Sequence, residues 1–178
     1  MIQSFNNSIS LFKATGEIYT NLFNAIEENV IWDTNLKSRK TASFGVPYNY
    51  SNINYQYLDF PFYIERIIDD LAPKLGYRPN NCLINFYDYS NSSMGFHSDR
   101  TDILVLYTGI TILSLGNQRT MRFKNKSTGE LKDTLMEPNW FLHMTAELQN
   151  EWLHAILPAN NSLIHNERIS LTFRKLTN

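Results

Sequence analysis

A single cysteine, Cys82, stands among the 178 residues of this chain. One thiol excludes an internal disulfide and fits a reducing compartment, and its setting beside Leu83 and Ile84 is that of a buried, inert side chain. No run of about 18 or more apolar residues occurs, so no membrane span is expected. The opening MIQSFNNSIS lacks a basic segment followed by an apolar stretch, so no secretory signal is expected and the expected location is intracellular and soluble, cytoplasm or nucleus. Excess charge is missing too: 16 Lys and Arg face 17 Asp and Glu, a net charge of −1. That balance excludes a surface densely coated with phosphate-binding cations. No internal repeat, linker or low-complexity segment divides the chain, so one domain over residues 1–178, acting as a monomer, is expected. A domain of this size buries about 70% of its unfolded surface.

What is present is a hydrophobic fraction of 43%, enough for a packed core. Residues 16–30 carry Ile18, Leu22, Phe23, Ile26 and Val30 at helical spacing. A second helix is predicted after Pro61, with Ile64, Ile67, Ile68, Leu71 and Leu75 on one stripe and Gly76 as its stop. Short strands follow, at 82–88, 94–98, 103–115 with a break at Gly109, 118–125, 131–136, 139–146, 152–157 and 167–176. Two helices followed by a run of antiparallel strands predict an α+β, mainly β fold: a double-stranded β-helix, or jelly roll, with the N-terminal helices supporting its larger sheet.

The chemistry concentrates in two late motifs and one early strand. In GFHSDR, His97 and Asp99 stand at i and i+2 and share one face of an extended segment. A third ligand, His154 in EWLHAILP, would complete two imidazoles and one carboxylate, the set that holds non-heme Fe(II) while leaving positions open. His143, within the apolar NWFLHMT, reads as a hydrogen-bonded core residue, and His165 as a solvated loop residue. In RISLTFR, Arg168, Ser170, Thr172 and Arg174 alternate with Ile169, Leu171 and Phe173, giving one polar and one apolar face. The two arginines, six residues apart, span about 20 Å of strand and could approach a short diacid from its two ends. Asn85 and Tyr87 share a face of NCLINFYDYS and need polar partners there.

Taken in order, KTASFGVPYNYS, CLINFY, GFHSD, ITILSLGNQRTMRF, EWLHAILP and RISLTFR resemble the AlkB family of Fe(II) and 2-oxoglutarate-dependent dioxygenases, in particular its DNA-repair-like members. The resemblance implies Fe(II), 2-oxoglutarate and O2 as cofactor and co-substrates. It implies His97, Asp99 and His154 as iron ligands and catalytic centre, and Asn85, Tyr87, Arg168, Ser170 and Arg174 as 2-oxoglutarate contacts, with Arg174 near the iron-chelating end and Arg168 at the distal carboxylate. It implies oxidative demethylation of N-alkylated bases of the 1-methyladenine and 3-methylcytosine type, in DNA or RNA, with release of formaldehyde, succinate and CO2.

Two departures bear on that expectation. Ser170 stands where the family pattern has Asn, and Arg100-Thr101-Asp102 follows the metal Asp, with Thr101 in the place of an acidic residue that faces the base and Asp102 one step on. Residues 37–60 are the expected substrate-recognition lid, with Phe44, Tyr48, Tyr50, Tyr55 and Tyr57 as flat faces on which a base can stack for about 1 to 3 kcal/mol. The same aromatics read equally as packed core. Lys37, Arg39 and Lys40 before them, and Arg119, Arg122, Lys124 and Lys126 later, read either as solvated surface or as phosphate contacts. Thr101 and the slight acidity keep open a protein side chain, N6-methyladenine in RNA or a small metabolite as substrate, and a silent binding module remains a further alternative.

Overall fold

The computed structural model describes residues 5–49, 54–88, 92–159 and 167–177. Ten strands form two sheets in the described residues. The larger has six, in the order β1 (Ile9–Lys13), β8 (Trp140–Thr145), β5 (Gly109–Gly116), β10 (Arg168–Arg174), β3 (Asn81–Tyr87) and β2 (Lys40–Gly45). The smaller has four, in the order β4 (Met94–His97), β9 (Trp152–Ile156), β6 (Arg119–Asn125) and β7 (Leu131–Met136). Every pairing is antiparallel. The two sheets form the double-stranded β-helix that the strand pattern predicts, and α1 (Leu22–Asn29) and α2 (Phe62–Leu75) cover the outer face of the larger one.

The period-two pattern of β10 explains how the site is placed. Ile169, Leu171 and Phe173 point outward and pack with Ile26, Ile64, Ile67, Ile68 and Leu71 of the helices. Arg168, Ser170, Thr172 and Arg174 point the other way, into a cavity between the sheets. β3 and β5 pair with both edges of this strand, and with the helices over one face and the smaller sheet over the other all seven of its residues are buried. An ordinary half-exposed strand with solvated arginines is thereby excluded. A second core, including Leu83, Ile112, Met121, Phe123 and Leu142, fills the space between the sheets around that cavity.

The helices differ in one detail from their periodicity. α2 begins after Pro61 and ends at Gly76, whose φ of 75° suits the left-handed stop, as predicted. The first helix is shorter than 16–30: Glu17–Tyr19 is a 3₁₀ turn, and Asn21, at φ 60°, resets the chain before α1. An amide side chain tolerates that conformation, so the apolar stripe continues across a break that periodicity does not reveal.

Three strand expectations change. Gly109 begins β5 rather than interrupting a longer strand: residues 103–108 make only the bridge Leu104 to Leu176 and a turn containing Tyr107 at φ 64°. A Cβ at Gly109 would lie 2.4 Å from the Met144 carbonyl oxygen, so the glycine permits close approach to β8. The edge strand β1 was not expected. Nor was β2, which turns the first part of the 37–60 segment into sheet, paired from Lys40 to Gly45 with β3. Among the described residues, no helix is long and apolar enough to cross a membrane.

Candidate metal centre and co-substrate pocket

His97 closes β4 and lies opposite His154 of β9 in the ladder, so the register itself brings the two imidazoles together, with ring centroids 4.2 Å apart. Asp99 lies just beyond the strand end, on the same face as His97. Its Oδ1 is 3.7 Å from His97 Nε2 and 3.8 Å from His154 Nε2. Metal bonds of about 2.0–2.2 Å bring adjacent donors to about 3–3.5 Å, so a few tenths of an ångström of closure suffice. This is the one cluster of three metal-capable side chains among the described residues.

The protonation states suit a metal. His97 Nδ1 lies 2.9 Å from the Gly95 carbonyl oxygen, and donating its proton there leaves the Nε2 lone pair aimed at Asp99 and His154. Burial, then the neighbouring His97, pushes His154 down to about 4, so it is neutral near pH 7. Burial alone would raise Asp99, but Arg174 and then the two imidazoles hold it down to about 2. Arg174 donates from Nε and Nη2 to one oxygen, Asp99 Oδ2, at 3.1 and 2.5 Å. The other oxygen, Oδ1, faces the imidazoles. Arg174 therefore enforces a one-oxygen ligand and leaves the rest of the metal face open. Its guanidinium also stacks 3.9 Å from the Tyr48 ring centroid.

A cavity of about 580 Å³ runs from this centre to Arg168, with Asn85, Tyr87 and Ser170 in its wall. Arg168 is fully buried. Its Nε donates to Ser114 Oγ at 3.0 Å, and the Tyr87 ring centroid lies 5.2 Å from the guanidinium carbon. Neither terminal nitrogen meets an acceptor among the described residues. Burial lowers the Arg168 pKa, yet arginine keeps its charge, so a buried cation with two open donors faces the cavity. A carboxylate is the group that satisfies it. The donor set at one end and this guanidinium at the other fit a chelated metal and a short diacid.

Several residues are placed differently from their local sequence reading. Arg39 leaves the Lys37 cluster, is buried, and donates from Nε to Asn85 Oδ1 at 2.8 Å in the cavity wall. Lys40 pairs with Asp88 at 2.9 Å. The second basic cluster also divides: Arg119 is buried against the Ser92 carbonyl oxygen, Arg122 pairs with Asp133, and Lys126 bonds the Gln149 carbonyl oxygen. Sequence spacing offers no signal for these turns, because each depends on which loop lies opposite.

Of the expected base-reading residues, Tyr48 lines the cavity, and its hydroxyl accepts the Arg100 N–H at 3.0 Å. Phe44 does not reach it. It packs on the helix side of β2 and borders a separate pocket of about 240 Å³, because alternation along β2 turns it away from the site. Thr101 and Asp102 do not line the cavity either, and Asp102 is exposed and paired with Arg100 at 2.6 Å. Tyr50 and His165 lie outside the described residues. Tyr55 donates to Thr41 Oγ1 at 2.8 Å, and Tyr57 is exposed. Phe96, which the motif reading passed over, lines the cavity next to His97 and is 43% exposed. His143 is hydrogen-bonded as expected but half-buried rather than in the core, its Nδ1 2.9 Å from Thr111 Oγ1 and its pKa lowered by burial, and Cys82 is a buried free thiol.

The family model of the 2OG-Fe(II) oxygenase superfamily matches residues 6–174. The chain belongs to this superfamily. It is accordingly a dioxygenase that uses Fe(II), 2-oxoglutarate and O2, with His97, Asp99 and His154 as its metal triad. Membership and the intact triad set aside the silent-module alternative. Comparison with curated proteins returns no match. Among solved structures, the oxygenase is similar to one titled "The structure of OsALKBH1", with a TM-score of 0.72 and 15% identity over 94% of this chain and 98% of that one. At that identity the likeness shows the fold alone, a jelly roll.

Proposed function

We propose that this oxygenase removes methyl groups from ring nitrogens of nucleobases, of the 1-methyladenine and 3-methylcytosine type, in DNA or RNA. The observation that carries the proposal is the cavity lining: Phe96, a flat ring that is 43% exposed, stands beside His97 of the metal triad, and the buried ring of Tyr48, stacked on one side by Arg174, lines the same cavity. Flat faces next to an oxidising centre suit a planar ring turned out of its stack. The volume of about 580 Å³ falls among pockets that enclose small ligands, leaving room for a co-substrate and a planar group together. The sequence resemblance to the AlkB family supports the same reading.

In this mechanism Arg168 would hold the distal carboxylate of 2-oxoglutarate, with Tyr87 beside it and Asn85 and Ser170 along the wall. His97, Asp99 and His154 would hold Fe(II), and Arg174 would orient Asp99 and border the keto-acid end. With both bound, the site would supply O2-dependent hydroxylation of a substrate C–H bond, coupled to conversion of 2-oxoglutarate to succinate and CO2. The chain's task is placement: charged clamps at both ends and walls that keep water away. A hydroxylated N-methyl group is a carbinolamine and releases formaldehyde without further help. Of residues 37–60, Arg39, Tyr48 and Asn49 line the cavity and would be the part of the lid that faces the substrate.

The test is turnover on single- and double-stranded oligonucleotides carrying 1-methyladenine or 3-methylcytosine. Formaldehyde matching loss of the methyl mark is expected, and no formaldehyde from any of them would refute the proposal. The neutralised surface, with Lys40, Arg78, Arg100 and Arg122 each tied to a carboxylate, favours a second reading: a protein side chain, N6-methyladenine in RNA or a small metabolite. Succinate formation stimulated by a peptide or metabolite and by no methylated oligonucleotide would select it.

A further inference from the structure

The ladder between β4 and β9 holds His97 and His154 but ends there. Asp99, two residues on, has no strand partner for its backbone. A buried ligand on an untethered segment would carry an orphan N–H and a carboxylate free to follow its strongest attraction, Arg174. The Asp99 N–H instead donates at 2.9 Å to the side-chain oxygen of Gln149. Gln149 is buried and lies in α3 (Leu148–Glu151), the one-turn helix that runs directly into β9 and so leads to His154. Its own backbone is fixed: its N–H bonds the Ala146 carbonyl oxygen at 3.1 Å, and its carbonyl oxygen receives Lys126 Nζ at 2.7 Å. A parallel strut, Ser98 Oγ to the Trp152 carbonyl oxygen at 3.2 Å, joins the same two segments.

We infer that Gln149 is a positioning residue of the metal centre, which holds Asp99 in register with the two imidazoles against the pull of Arg174 and thereby sets metal affinity. Arg174 acts on the carboxylate from one side through Oδ2. Gln149 acts on the backbone from the helical turn that leads into the strand of His154. Together they fix both position and rotation of the carboxylate, so that Oδ1 meets the metal. Without Gln149 the carboxylate shifts toward the guanidinium, and the triad opens on the Asp99 side. Partners that orient a ligand in this way change metal affinity about 10- to 100-fold when removed.

The inference rests on the triad's role as metal ligands, and the experiment separates the two. Metal-free full-length protein is titrated with Co(II), and anaerobically with Fe(II), by calorimetry, while the Co(II) absorption bands record ligand geometry. Gln149→Met keeps the volume and removes the acceptor; Gln149→Glu keeps an acceptor oxygen at the same reach. The expected result is 10- to 100-fold weaker metal binding and altered Co(II) bands in Q149M, with affinity restored to within a few-fold in Q149E. Wild-type affinity and unchanged bands in Q149M, or a Q149E protein as weak as Q149M, would overturn the inference. Should Q149M fail to fold, Gln149→Ala, which removes the acceptor and leaves space instead of filling it, takes its place: a tenfold or larger loss of affinity upholds the role of the acceptor, and wild-type affinity overturns it. Failure of the wild-type chain to bind either metal would defeat the triad assignment itself.

Discussion

Replacing Arg168 with Met should move two measurements in opposite directions. In the folded protein this guanidinium is fully buried, bonds Ser114 through Nε alone, and turns two donors into the cavity without an acceptor among the described residues. A charged hydrogen bond contributes about 1.5–3 kcal/mol, and a carboxylate held by both open nitrogens would draw on two of them. Allowing for the desolvation of the carboxylate, a loss of about 2–4 kcal/mol corresponds to roughly 30- to 1,000-fold in the KM for 2-oxoglutarate. Without co-substrate the same guanidinium is a buried, under-satisfied cation, and an apolar side chain of similar length removes its desolvation cost. The co-substrate-free protein should therefore keep or raise its Tm. Steady-state succinate formation against 2-oxoglutarate concentration, with calorimetric melting in its absence, reads both. Arg168→Lys, which keeps charge and loses the planar fork, should fall between the two in KM. An unchanged KM together with a Tm lowered by many degrees would refute the reasoning, because Arg168 would then be a structural strut and no clamp.

Arg174→Met should make metal binding sensitive to mild acid: without the guanidinium, burial raises the Asp99 carboxyl from its value of about 2, and Fe(II) affinity falls as pH drops through the new value, whereas wild-type Asp99 stays ionised. Calorimetric titration from pH 7.5 to 5 follows this, and parallel profiles for the two proteins would count against it. Ile67→Ala, in the stripe of α2 under the larger sheet, should cost about 2–5 kcal/mol in denaturant unfolding while leaving metal bound per folded chain unchanged. Asp70 is held below its ordinary range despite partial burial, by Lys74 and by the Tyr19 hydroxyl at 2.7 Å. Its contribution is present above its unfolded value near 4 and is lost as pH falls through the lower folded value, so Asp70→Asn should lower Tm at pH 7 and the difference should shrink toward pH 2. A difference that persists undiminished in acid would assign the effect to packing.

Local patterns proved informative where a period decides which face a residue occupies. The alternation of RISLTFR separates arginines from aliphatics whatever lies across from them, and the i, i+2 spacing in FHSDR aligns His97 with Asp99 for the same reason. The stripe of α2 and its Gly76 stop were legible because helix periodicity and glycine's tolerance of positive φ act within a few residues. β2 was not, since KTASFG is an edge strand, recognisable once β3 pairs with it. Phe44 shows the limit: its chemistry suits stacking, and a shift of one residue along the strand decides whether it meets a substrate or the helices.

The residue types and spacings of the iron triad, the polar face of the last strand, and the mainly β architecture with helices on one side are properties of the sequence by itself. They follow from steric alternation and from donor chemistry, which act over short stretches. The occupancy of each charge was decided by tertiary structure. Arg174 meets an aspartate 75 residues away, Arg168 meets a serine 54 residues away and keeps two donors open, Arg39 turns inward onto Asn85, and Gln149 closes on the Asp99 backbone. By alternation alone the two arginines on this strand face are equivalent, and only the family resemblance sets Arg174 toward the iron end and Arg168 toward the distal carboxylate. They become a ligand-orienting group and an open carboxylate clamp because packing two sheets sets which donors and acceptors come within hydrogen-bonding distance, about 2.7–3.2 Å, and the interaction weakens steeply as distance and angle depart from that geometry.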